Sequence, residues 1–135
     1  MKIKVWSDLH LEFRNYLFDH IHLEHPDDKE TTLLLAGDIS TGITAIPFVE
    51  EMCKHFKHVL MIHGNHEYYY NEFEKTVKNW QDWELEGSPK NFHFLYNDQR
   101  ILDGVRFLGG TMWTDFNDGD PIVMGAAHRM MNDYI

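Results

Sequence analysis

Three short polar stretches of the sequence carry residues that can bind a metal ion or transfer a proton. They are SDLH with Asp8 and His10, LAGDI with Asp38, and GNHE with Asn65 and His66. Two carboxylates, two imidazoles and an amide oxygen suit divalent ions such as Mn, Fe or Zn better than Ca. Each stretch alone arises easily by chance and usually marks a turn or a helix cap. Three of them at successive strand ends indicate one site.

Each polar stretch ends an apolar run that is typical of a buried strand. The runs are Lys2 to Ser7, Thr31 to Ala36 and Val59 to His63. Continuous aliphatic runs are typical of strands that are buried on both faces of a parallel sheet. The C-terminal ends of parallel strands share one edge of an α/β sheet, and ligands bind at that edge. We therefore expect the three polar stretches to converge there.

Apolar residues at helical spacing predict a helix before the third strand and another after it. The first helix is indicated by Ile46, Val49, Met52, Cys53 and Phe56, with Pro47 in its first turn. The second is indicated by Phe73, Val77 and Trp80, and is ended by Gly87, Ser88 and Pro89. The order strand, helix, strand, helix predicts an α/β fold.

The pattern changes after the second helix. The runs FHFLYN, RILD and VRFLGGTMW are short and strand-like, and they predict an antiparallel part. Asp103 and Gly104 between the last two runs predict a hairpin turn. A polar loop from Asp115 to Pro121 and a helix from Ile122 to Asn132 are expected to follow. We expect residues 1–135 to form a single domain.

Composition and charge exclude several classes of protein. The formal net charge of -10 disfavours nucleic-acid binding, which needs clustered Lys and Arg. Cys53 is the only cysteine, so no internal disulfide is possible. No segment is long enough to span a membrane, and the N-terminus meets polar residues before a signal-peptide stretch develops. We therefore expect a cytoplasmic protein with no membrane partner.

The stretches SDLH, LAGDI and GNHE, in this order, resemble the first three sequence blocks of the calcineurin-like metallophosphoesterases. VRFLGGTMWTDF and MNDY are also similar to stretches in a bacterial and phage branch of that superfamily. The resemblance implies a β-sandwich flanked by helices, two divalent metal ions and hydrolysis of a phosphate ester by a metal-bridging water. It implies that Asp8 and His10 hold the first metal, Asp38 bridges, Asn65 holds the second, and His66 protonates the leaving oxygen.

The resemblance is incomplete at the C-terminal side. The family continues with another strand that ends in His and with a Gly-His-x-His block, and neither occurs before Ile135. We therefore expect only the N-terminal half of the domain. Our first interpretation is that the chain is a fragment of a longer enzyme. The alternatives are a half-site that another chain completes and a complete but degenerate domain. An uncovered face or strand edge would favour self-association or a second chain.

Three functions are consistent with these residues. The leading hypothesis is a metal-dependent phosphoesterase acting on phosphomonoesters or small phosphodiesters. A nuclease of the same superfamily is disfavoured by the negative charge. The alternative that is not an enzyme is a non-catalytic scaffold that binds a protein partner.

Other polar residues have structural interpretations beside functional ones. His63 is expected to be a core histidine, and His93 is expected to face solvent because it alternates with two phenylalanines. Glu67 is expected either to order a metal ligand or to be a solvated loop carboxylate. Tyr68, Tyr69 and Tyr70 are expected to form an aromatic wall beside the substrate or to hold loop against helix. His20, His22 and His25 are interpreted as part of a hydrated acidic loop, with a zinc-binding His-x-His pair as the alternative.

Overall fold

The computed structural model describes residues 1–13 and 28–131. The histidine-rich stretch from position 20 to 25 lies outside the described residues. The strands are β1 Lys2–Trp6, β2 Thr31–Ala36, β3 His58–Ile62, β4 Phe92–Phe94, β5 Asp98–Leu102 and β6 Val105–Gly109. The helices are α1 Ile46–His55, α2 Phe73–Glu86, α3 Phe116–Gly119 and α4 Pro121–Met130. Within the described residues, short 3-10 turns lie at Leu11–Phe13, Asp28–Glu30 and His66–Tyr68.

The first four strands form one parallel sheet in the order β1, β2, β3, β4. Trp6 pairs with Leu35, and Ala36 pairs with Ile62, so the first three strands end at the same level. This register places the three polar stretches at one edge of the sheet, as the sequence predicts. The α/β fold class, with two sheets and flanking helices, is confirmed.

The fourth strand differs from the prediction. FHFLYN was expected to belong to the antiparallel part, but β4 pairs with β3 in parallel, with Val59 opposite Phe92. Helix α2 is the reason, because it carries the chain back along the sheet before β4 begins. The predicted hairpin is confirmed: β5 and β6 pair antiparallel, and the turn residues Asp103 and Gly104 have φ of 48° and 78°.

The hydrophobic core lies between the parallel sheet and helices α1 and α2. Alternate strand residues such as Leu33, Leu35 and Met61 point to the helices and are 0 to 1% exposed. Trp80 on α2 is fully buried, and its indole N–H donates to the carbonyl of Gly42 at 2.8 Å. Burial of each such large apolar side chain contributes roughly 1.5 to 3 kcal/mol. This packing makes the sheet a rigid support for the loops at its edge.

The last elements lie on the surface. The predicted polar loop contains α3, a left-handed turn with φ of 54° to 60° at Phe116, Asn117 and Asp118. The carboxylate of Asp120 accepts from the backbone N–H of Ile122 at 2.8 Å and caps the N-terminus of α4. The predicted final helix is therefore confirmed. Among the residues that the structure describes, no helix has the length and apolar character needed to cross a membrane.

Candidate metal centre

The loops that follow β1 and β2 run side by side and are joined by backbone hydrogen bonds. Asp8 N–H donates to the Gly37 carbonyl at 3.1 Å, and His10 N–H donates to the Asp38 carbonyl at 3.0 Å. Asp8, His10 and Asp38 have φ of 55°, 48° and 54°. The left-handed region costs a residue other than glycine about 1 to 2 kcal/mol. Such strain clusters at functional sites, because the surrounding structure must hold it.

The side chains of these strained residues converge. Ligand atoms of Asp8, His10 and Asp38 all lie within 4.8 Å of one another. Two carboxylates and one imidazole fit a divalent ion of the Mn, Fe or Zn type, and three protein ligands are enough for a catalytic ion. The predicted meeting of the first and second stretches is therefore present in the fold.

The third polar stretch joins the second through very close backbone packing. The N–H of His66 donates to Oδ1 of Asp38 at 3.0 Å. A Cβ atom on Gly64 would lie 2.2 Å from the same oxygen, and one on Gly37 would lie 2.6 Å from the Gly64 nitrogen. Only glycine permits this approach, because real Cβ contacts are never so short.

The buried side chain of Glu67 connects the same two turns. Its side chain is fully buried and accepts from the backbone N–H groups of Asp38 at 3.1 Å, Ile39 at 2.8 Å and Gly64 at 2.8 Å. Burial raises the pKa of Glu67, and the three backbone hydrogen bonds oppose that rise. The alternative of a solvated loop carboxylate is therefore wrong. Glu67 orders the backbone that carries Asp38.

The imidazole of His66 is held on two sides. Its Nδ1 lies 2.9 Å from Oε1 of Glu12, and its ring stacks on Tyr69 with centroids 4.3 Å apart. The ring of His10 meets it edge to face at 4.3 Å. His66 therefore joins the cluster that the first two stretches form.

Glu12 is the residue that the sequence interpretation missed. It follows His10 by two positions in SDLHLEF, and this spacing was the available signal. Burial alone would raise the pKa of Glu12, but hydrogen bonds from His66, from its own backbone and from His10 bring that pKa below its ordinary value. The carboxylate is therefore a charged partner of both rings.

Asn65 lies at the same edge, between Gly64 and His66. Its side-chain N–H donates to the hydroxyl of Tyr69 at 3.0 Å, which orients the amide. A cavity of about 560 Å³ adjoins this turn and is lined by Asn65, Tyr68 and Tyr69 together with residues 110–114. The five predicted site residues therefore lie in the turns of one sheet edge.

Tyr68 and Tyr69, two of the three tyrosines that follow the third stretch, serve the roles considered for them. Tyr68 lines the cavity and also stacks on Phe73, the first residue of α2, with centroids 4.1 Å apart. Tyr69 contacts the candidate proton donor. Tyr70 is fully exposed and lines no part of this cavity. Aromatic packing therefore fixes the loop to α2 and forms a wall beside the turn.

His63 is a core histidine, as expected, and does not belong to the cluster. It is 2% exposed, packs against Trp80 and Phe94, and its Nδ1 lies 3.2 Å from the Tyr68 hydroxyl. Burial lowers the pKa of His63 to about 3, so the ring is neutral at physiological pH. The Thr111 hydroxyl donates to the His63 backbone carbonyl at 2.8 Å and attaches the segment after β6 to the end of β3.

Comparison with known proteins identifies the family that the sequence resembles. The sequence model of the calcineurin-like phosphoesterase family matches residues 1–131, a range that includes every strand and helix described above. No curated protein sequence matches the chain.

Proposed function

The chain belongs to the calcineurin-like phosphoesterase family, whose members are metal-dependent phosphoesterases, and we propose that it hydrolyses phosphomonoesters or small phosphodiesters. The observation that carries this proposal is the convergence of Asp8, His10 and Asp38, whose ligand atoms lie within 4.8 Å of one another. The contact between Asp38 and the His66 backbone adds a proton donor to the same cluster.

The proposed metal ligands are side chains at this edge of the sheet. Asp8, His10 and Asp38 would hold one divalent ion, and Asp38 with Asn65 would hold a second. The ligand atom of Asn65 would be Oδ1, because its nitrogen donates to Tyr69. Bound divalent ions supply Lewis-acid stabilisation of charge on the phosphoryl group and activation of the attacking water.

His66 is proposed as the general acid. Its Nδ1 contacts Glu12, so Nε2 is the nitrogen that can protonate the leaving oxygen. Because an alkoxide leaves poorly, this proton is worth about 10²- to 10⁴-fold in rate. The stacked ring of Tyr69 restrains the imidazole, and buried Glu67 holds the backbone of Asp38.

The charge of the chain and of the cavity supports a small substrate. The formal net charge is -10, and the cavity beside Asn65 is lined, among the described residues, by aromatic, aliphatic and neutral polar groups without Lys or Arg. A polynucleotide needs several cationic contacts to its phosphates. The nuclease alternative is therefore disfavoured. A cytoplasmic location stays a prediction.

One observation favours the scaffold alternative. Ile3 and Val5 on β1, the edge strand of the parallel sheet, are 48% and 59% exposed. These two side chains share one face of the sheet, and exposed apolar surface is typical of sites that bind another chain. A scaffold would bind its partner without needing the imidazole of His66.

Metal-stimulated turnover is the direct test. The metal-free protein is supplied with Mn²⁺, Fe²⁺ or Zn²⁺ and assayed with p-nitrophenyl phosphate and bis(p-nitrophenyl) phosphate. We expect turnover only with metal. Absence of metal-stimulated turnover on both esters would contradict the proposal.

The proton donor is tested with a substrate whose leaving group is poor. We expect His66→Ala to lower kcat on phenyl phosphate by about 10²- to 10⁴-fold while metal affinity changes little. His128→Ala, on the exposed surface of α4, is the control. An unchanged rate in His66→Ala would contradict its role as the general acid.

A further inference from the structure

Glu12 contacts two histidines of the candidate metal centre with one oxygen atom. Its Oε1 lies 2.9 Å from Nδ1 of His66 and 3.3 Å from Nδ1 of His10. An ionised carboxylate can only accept hydrogen bonds, so each Nδ1 that bonds to it must carry a hydrogen. The same nitrogen of each ring is therefore directed to the same acceptor.

We propose that Glu12 is a positioning residue that fixes Nδ1 of both histidines as hydrogen-bond donors. This reserves Nε2 of His10 for a metal ion and Nε2 of His66 for proton transfer to the leaving oxygen. The inference rests on the proposed function for these two tasks. The tautomers of the two rings depend only on hydrogen bonds within the polypeptide, so they can be measured without metal or substrate.

The tautomer matters because a neutral imidazole has one donor nitrogen and one acceptor nitrogen. A metal ion needs the acceptor nitrogen, and a hydrogen bond at the other nitrogen selects and orients it. His66 must take up and release a proton at Nε2, and a negative partner at Nδ1 stabilises the ring when both nitrogens are protonated. One carboxylate thus prepares two different chemical roles.

The fold holds Glu12 rigidly enough for this role. It lies in the 3-10 turn Leu11–Phe13, whose start is fixed by the Leu11 N–H donating to the Ile39 carbonyl at 2.9 Å. The side chain of Glu12 is only 13% exposed, and that of His66 is 18% exposed. Low solvent access strengthens these hydrogen bonds and slows their exchange for water.

Two nearby carboxylates, those of Asp38 and Glu67, accept hydrogen bonds from backbone groups. Oδ1 of Asp38 accepts from the His66 backbone, and Glu67 accepts from three backbone N–H groups. Glu12 is the carboxylate of the described residues that hydrogen-bonds to the His66 ring. Ligand atoms of His10, Glu12 and His66 also lie within 4.8 Å of one another, so direct metal ligation by Glu12 is the alternative to exclude.

The first test uses the metal-free protein and needs no catalysis. Long-range ¹H–¹⁵N NMR spectra, which distinguish the two neutral tautomers of an imidazole, are recorded at a pH where the spectra themselves show neutral rings. We expect His10 and His66 of the wild type to carry hydrogen on Nδ1. Glu12→Ala should shift both rings toward hydrogen on Nε2, and Glu12→Gln, which keeps an acceptor oxygen, should retain more of the wild-type tautomer. Unchanged spectra in both variants would overturn the proposal.

The second test separates positioning from a general structural effect. With Mn²⁺ bound, Glu12→Ala should lower kcat on phenyl phosphate by about 10- to 100-fold. On p-nitrophenyl phosphate, whose leaving group needs little protonation, the loss should stay below about threefold. In a His66→Ala background, Glu12→Ala should cause no further loss of leaving-group selectivity. Equal losses on both esters would contradict action through His66.

Metal affinity distinguishes the alternative role. Titration calorimetry should give a Mn²⁺ affinity about 10- to 100-fold weaker in Glu12→Ala and nearly unchanged in Glu12→Gln. Equal large losses in both variants, with leaving-group selectivity intact, would make Glu12 a ligand instead. Glu50→Ala, exposed on α1, is the control for all three measurements. A wild type without turnover but with the expected tautomers would refute the proposed function and leave the role of Glu12 supported.

Discussion

The backbone N–H of His66 donates a 3.0 Å hydrogen bond to Oδ1 of Asp38, although 28 residues separate them in the chain. This bond fixes the Asp38 carboxylate relative to the turn after β3. A candidate metal ligand and a candidate proton donor are thereby held in one arrangement before any ligand binds. The entropy lost in bringing these two groups together is lost during folding and not during binding, as in other preorganised sites.

Asp38 has separable roles in metal binding and in folding. Asp38→Asn keeps an acceptor oxygen for the His66 N–H but loses the charge, so we expect Mn²⁺ affinity to fall at least about tenfold with little change in stability. Asp38→Ala also leaves that N–H without a partner, which costs about 1 to 3 kcal/mol of unfolding free energy. Titration calorimetry and urea denaturation measure the two effects. Asp82→Asn, on α2 with its side chain 49% exposed, is the control, and unchanged metal binding in Asp38→Asn would contradict the ligand role.

Gly64 should tolerate no side chain. The added Cβ of Gly64→Ala would lie 2.2 Å from Oδ1 of Asp38, so the carboxylate must move. We expect a loss of about 1 to 3 kcal/mol in unfolding free energy and weaker Mn²⁺ binding. Gly125→Ala is the matched control, because its Cβ in α4 meets only Arg129 Nη1 at 3.5 Å. That change should stabilise the chain by roughly 0.5 to 1 kcal/mol. Equal effects of the two substitutions would exclude the close approach seen here.

Even the closest neutral replacement of Glu67, glutamine, should destabilise the fold. The carboxylate accepts three backbone hydrogen bonds through two oxygens, whereas the amide of Glu67→Gln presents N–H groups to at least one of those donors. One buried donor left unpaired costs about 1 to 3 kcal/mol. Urea denaturation should therefore show a loss of at least about 1 kcal/mol. The exposed control Glu50→Gln should stay within about 0.5 kcal/mol, and a similarly small change in Glu67→Gln would refute the buried clamp.

The sequence predicted the elements that have a strong hydrophobic period. Helix α1 begins at Ile46 as expected, and β2 spans Thr31–Ala36 as expected, because each buries a continuous apolar face. The direction of β4 was not predictable from FHFLYN, because a three-residue strand has no pattern that distinguishes parallel from antiparallel pairing. Its direction depends on the path of α2.

Site residues whose role depends on their chemical type were predictable from the sequence. Those whose role depends on tertiary packing were not. Asp8, His10 and Asp38 are recognisable because their side chains are metal-ligand types at strand ends. The role of Glu12 depends on the 3-10 turn that returns the chain toward His66, 54 residues further along. Burial of Glu67 likewise depends on how two loops meet. Such contacts depend on long-range packing, which sequence spacing alone does not encode.

His93 should make stability depend on pH in a defined window. Contrary to the expectation that it faces solvent, it is partly buried, and burial together with Arg100 and His58 lowers its pKa from 6.5 to about 4. Between pH 4 and 6.5 the unfolded chain binds a proton at His93 that the folded chain excludes. The unfolding free energy therefore decreases as pH falls from 6.5 toward 4, and His93 causes no such decrease above pH 6.5. The slope is at most about 1.4 kcal/mol per pH unit. Urea denaturation across this range should show a shallower slope for His93→Gln than for wild type or the exposed control His128→Gln, and identical slopes would contradict a neutral His93.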